Sequence, residues 1–63
     1  MKRTEALTLI KWAGWHNDSQ KAALIAAQKG IGKAAYRKAF LDGQKAKKRD
    51  EPCECLKCSK GAE

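Results

Sequence analysis

Cys53, Cys55 and Cys58 place three thiols within six residues. That density suits a soft metal, because thiolates bind Zn²⁺ or Cu⁺ and a short loop can wrap a tetrahedral centre. A closed site needs a fourth ligand: His16, a carboxylate such as Glu51 or Glu54, or a thiol from another subunit. The spacing supplies one Cys-x-x-Cys knuckle where a zinc ribbon has two, so a plain tail without cofactor is the leading reading and zinc the alternative. Redox sensing ranks lower, since Lys57 and Lys60 favour a thiolate while Glu51 and Glu54 oppose it. Covalent catalysis lacks its parts: the single His lies in a different segment from every Cys, and a nucleophile needs an oriented base beside it. Gly30-Ile31-Gly32 is without the further Gly and the flanking strand of a phosphate-cradling loop. A chain of 63 residues also has little core from which to build a water-excluding pocket. These absences point to a binding protein rather than an enzyme.

The cations supply the other chemistry. The net charge is +7, and residues 30 to 49 hold seven cations against one anion, whereas residues 50 to 63 hold two against four. A phosphate-rich partner would meet the 30 to 49 segment first. The expected contact set for nucleic acid is Lys33, Arg37, Lys38, Lys45, Lys47, Lys48 and Arg49. Most of these would touch phosphate, and Arg37 is the candidate for base readout, because its planar fork can pair with guanine. The competing function is a helical protein-interaction module that engages a partner protein through Trp12 and Trp15, aromatic anchors three residues apart. A basic helix face that only keeps the chain in solution is the plainest alternative.

Three helices are needed to position these groups, and the pattern predicts an all-α fold with helices at about 4–14, 18–29 and 33–49. Residues 1–49 form the helical domain and residues 50–63 a flexible Cys-containing tail. Thr4 is the expected cap of the first helix, with Glu5 near its positive end. Ala6, Ile10 and Ala13 make its inward row, flanked by Leu9 and Trp12, and Gly14 ends or weakens it. Asn17 with Gln20 resembles a capping box for the second helix, which should stop at Gly30 through a left-handed residue. Ala35 or Tyr36, Ala39, Phe40 and Gly43 define the inward face of the third. Gly43 weakens its middle, and the 44–49 stretch has little to bury. Asp50-Glu51-Pro52 closes it. The large apolar side chains are few, so a second copy of the chain is expected to supply buried area as a homodimer.

No secretory signal is visible, because Lys11 interrupts the short apolar run behind Lys2 and Arg3. No stretch is long enough to cross a membrane. A reducing cytoplasm is therefore the expected location.

Residues 26 to 40 resemble the helix-turn-helix of bacterial and phage repressors, in which a small residue, a Gly four positions later, an aliphatic residue and a Lys-Ala-containing helix recur. The resemblance implies that Ala26 is the close-packing position, Gly30 the turn, Ile31 the corner plug and Tyr36 the buried position of a recognition helix. Lys29 stands where that family prefers an apolar residue, and Tyr36 is bulkier than the usual Val or Ile. The whole chain also resembles small accessory proteins from the early regions of lambdoid temperate phages. That resemblance implies an intracellular regulator in a bacterial host cell, acting on DNA or on a host protein.

Overall fold

A computed structural model describes residues 2–55, and its secondary structure is all helical: α1 (Arg3–Trp15), α2 (Ser19–Lys29) and α3 (Lys33–Lys48). The cap of the first helix is Lys2, two residues before the expected Thr4. Lys2 takes extended backbone geometry, and its N–H donates to the Glu5 carboxylate at 3.3 Å. A Glu three residues after the cap supplies this backward bond, which leaves Thr4 inside the first turn, where its carbonyl accepts from the Thr8 hydroxyl at 2.8 Å. Ala6, Ile10 and Ala13 are fully buried, as their spacing predicts.

The junction between α1 and α2 differs from expectation in which residue does the capping, while the one between α2 and α3 is as expected. Asn17 adopts a left-handed φ of 59°, a conformation Asn tolerates better than most residues. The turn it makes lets the Asp18 N–H reach the Ala13 carbonyl at 2.7 Å. With Asn17 used to leave α1, Asp18 caps α2, and its carboxylate accepts from the Lys21 N–H at 3.1 Å. Gly30 ends α2 at φ 62° and ψ 29°. The Ile31 N–H then bonds the Ala26 carbonyl at 3.0 Å, and Ile31, only 8% exposed, fills the corner before α3.

The glycines expected to weaken their helices are packing residues. α1 is the central helix and touches both others, with α3 as its main partner. A Cβ on Gly14 would overlap the Phe40 carbonyl oxygen, and one on Gly43 would overlap the Lys11 carbonyl oxygen and lie 2.7 Å from the Trp15 nitrogen. The α1 and α3 backbones therefore meet directly, which is possible only where both side chains are missing. This crossing turns one face of α3 inward: Ala39, Gly43 and Ala46 are buried, while Tyr36 and Phe40 pack beside them with ring centroids 6.2 Å apart.

The end of α3 is also better anchored than its composition suggests. Ala46 is 3% exposed, and its carbonyl accepts from the Glu51 N–H at 3.0 Å across a turn in which Asp50 has φ 56°. The helix thus closes on a left-handed residue before Pro52 is reached. Residues 51–55, read in the sequence as the start of the tail, return to α1. Trp15 Nε1 donates to the Glu51 carbonyl at 3.0 Å, Lys11 Nζ lies 3.5 Å from the Glu54 carboxylate, and Cys55 is fully buried. Among the described residues, no helix is long and apolar enough to cross a membrane.

Candidate nucleic-acid interface

Docking of Ala39, Gly43 and Ala46 toward α1 leaves the opposite side of α3 open. Helical spacing places Ala34, Leu41 and Lys48, seven residues apart, along the middle of that side. Lys33 and Arg37 fall on one flank and Lys38 and Lys45 on the other. All seven residues are exposed, and Leu41 keeps 43% of its surface in solvent. Ala34, Arg37, Lys38, Leu41 and Lys45, with Asp42 at the edge, line one shallow depression of the surface. None of Lys33, Arg37, Lys38, Lys45, Lys47 and Lys48 lies within 4.0 Å of a carboxylate among the described residues.

Lys47 and Arg49 stand apart from this stripe. Lys47 follows Phe40 and Gln44 on the neighbouring row and faces a second depression with Asn17, Gln44, Lys45 and Lys48. Arg49 lies beyond the last turn, with its Nε 3.8 Å from the Glu51 carboxylate. Both side chains of that pair are more than half exposed, so the contact adds little to stability. The seven cations expected to act together thus divide into five on one stripe, one on its flank and one at the helix end.

The anchors expected for a protein partner are engaged within the fold. Trp12 and Trp15 are both half-buried, and the His16 ring sits against each indole with centroids 4.5 Å apart. Lys21 Nζ lies 4.4 Å above the Trp12 ring, a cation–π contact. The indole N–H of Trp15 donates to the Glu51 carbonyl. Sequence reading missed a different apolar feature. The exposed residues of α2 before Lys29 are Ser19, Gln20, Ala23, Leu24, Ala27 and Gln28, none of them charged, and Leu24 is 58% exposed. The signal was present in the spacing of Gln20, Ala23, Leu24 and Ala27, but Ala-rich helices carry too little contrast between faces for it to be read.

Of the thiols proposed as metal ligands, Cys53 is half-buried and Cys55 fully buried, and Cys58 lies outside the described residues. The candidate fourth ligands have other neighbours: His16 lies against the two indoles, Glu51 faces Arg49, and Glu54 faces Lys11. Among the described residues, no three of the His, Cys, Asp and Glu side chains gather as a metal site. Comparison of the chain with protein-family models, curated proteins and solved structures finds no match.

Proposed function

We propose that the chain is a small regulatory protein that binds nucleic acid along the outer face of α3. The observation that carries this reading is the run of exposed cations at Lys33, Arg37, Lys38, Lys45 and Lys48 on the side of α3 turned away from α1, with no carboxylate within 4.0 Å of them among the described residues. A stripe of this kind meets phosphates at little desolvation cost and gains from release of their counterions. Lys47 and Arg49 extend the field at its C-terminal end, and the planar guanidinium of exposed Arg37 is the group suited to pairing with a guanine edge. The test is titration of labelled duplex DNA across a salt series. Engagement of four to six phosphates corresponds to a slope of roughly −4 to −5 in log K against log salt. A slope near zero, or no binding at low ionic strength, defeats the proposal.

A second reading, a helical protein-interaction module, draws on α2 rather than on the two Trp residues. In a chain carrying +7, six uncharged residues on one exposed helix face form a surface that another protein, or a second copy of this chain, can approach without charge repulsion. Capture from bacterial lysate with and without nuclease separates the readings. A partner protein that survives nuclease favours the module, and sedimentation of the purified chain tests the homodimer.

A further inference from the structure

The arrangement of charge across α3 is more specific than a basic patch. Its middle line holds Ala34 and Leu41, two apolar residues, before reaching Lys48, and cations stand on both sides: Lys33 and Arg37 on one, Lys38 and Lys45 on the other. That cross-section matches a groove with phosphates along both walls and base edges on the floor. The major groove of B-form DNA is about 12 Å wide and admits an α-helix, whereas the deep, narrow major groove of A-form RNA does not. Along the axis, Ala34 and Leu41 are separated by roughly 10 Å, about three base-pair steps.

Resting on the nucleic-acid reading above, we infer that α3 lies in the major groove of duplex DNA with Leu41 against the 5-methyl group of thymine, which makes the partner DNA rather than RNA. Leu41 is one of two large apolar side chains left exposed among the described residues, and the only one set between cations. A phosphate cannot cover it favourably, but a methyl group on the groove floor can. Thymine is the base that offers one there. Ala34, with no reach of its own, lets the N-terminal half of the helix approach the bases closely while Arg37 extends toward them. Asp42 lies at the edge of the stripe beside Lys38 and Lys45, clear of the middle line.

The full chain is titrated, by fluorescence anisotropy at low salt, with a short duplex of alternating dA and dT and with its counterpart in which dU replaces every dT. Burial of one methyl group is worth about fourfold in affinity, so the dT duplex should bind several-fold more tightly. Leu41→Ala should bind both duplexes at the dU level while keeping the wild-type circular dichroism and salt slope. Equal wild-type affinity for the two duplexes with a steep salt slope overturns the thymine contact and leaves the nucleic-acid reading in place. Salt-dependent binding to neither duplex overturns both. If Leu41→Ala still prefers the dT duplex, or melts well below the wild type, Leu41 is not the residue that reads the methyl and the inference fails.

Discussion

Replacing Gly43 with Ala sets two opposed effects against each other, and the crossing of α1 and α3 decides which wins. In an exposed helix interior the change would stabilise the fold by about 1 kcal/mol, because Ala loses less backbone entropy. At Gly43 the new Cβ would overlap the Lys11 carbonyl oxygen and sit 2.7 Å from the Trp15 nitrogen. These are backbone atoms of a packed helix, and they cannot rotate away as a side chain would. Overpacking of this kind costs about 1 to 3 kcal/mol or more. Because the obstacle is rigid, we expect a net loss of roughly 2 kcal/mol after the helix gain is subtracted. A chain of 63 residues has roughly 3 to 9 kcal/mol in total, so a large share of its stability is at stake. At about 4–8 °C per kcal/mol, the melting temperature should fall by roughly 10 °C, measured by circular dichroism with a urea titration at 25 °C in parallel. Gly14→Ala, which meets the Phe40 carbonyl from the other side of the crossing, should behave alike. If both replacements raise stability by about 1 kcal/mol, the two backbones do not touch and the packing described above is wrong.

Gly30→Val should cost about 1 to 3 kcal/mol through backbone strain alone, since φ is 62° and nothing lies within 4 Å of the position a Cβ would take; an unchanged urea midpoint would contradict the left-handed assignment. Gly32→Ser should stabilise by about 0.5 kcal/mol, because Gly32 caps α3 with extended geometry, open space and no side chain to accept an N–H bond, and Ser supplies one; a loss of stability would refute that. Trp15→Phe removes the bond to the Glu51 carbonyl at a cost of about 1 kcal/mol and should speed the reaction of Cys55 with a thiol reagent in protein kept reduced; an unchanged rate would mean that the 51–55 segment is held by something else. Arg37→Ala combined with Lys38→Ala should leave the melt within about 0.5 kcal/mol and lower the salt slope for DNA by about two; unfolding would show these side chains to be structural, and an unaltered slope would remove them from the interface.

What the sequence revealed and what it concealed divide along the distance over which each feature is determined. Gly30 stops α2 through its own backbone freedom, and Ala6, Ile10 and Ala13 announce a buried row by their own spacing, so both could be read locally. Asn17 and Asp18 could each cap a helix, and the choice between them depends on how α1 leaves its last turn. Gly14 and Gly43 present the sharper case, because a Gly within a helical pattern signals weakness unless a second helix lies against it. That second helix is brought into place only by the fold. Ala46 and Cys55 follow the same logic: Ala46 is buried on the face that the crossing turns toward α1, and Cys55 where the chain returns to α1 from Glu51 onward, and nothing near either residue says so. The candidate interface is the complement of this packing. Charge and period located the cations on α3, but only the Gly14–Gly43 crossing determines which side of that helix remains open, and hence that Leu41 lies on its middle line while Lys47 does not. A residue that appeared to be a defect in α3 therefore sets the face it presents to a ligand. On the nucleic-acid proposal, a change at Gly43 that rotated α3 about its axis without unfolding the chain should displace Arg37 and Leu41 together and lower the affinity for duplex DNA in the same titration, although Gly43 itself faces α1; an unchanged affinity would refute the proposed face.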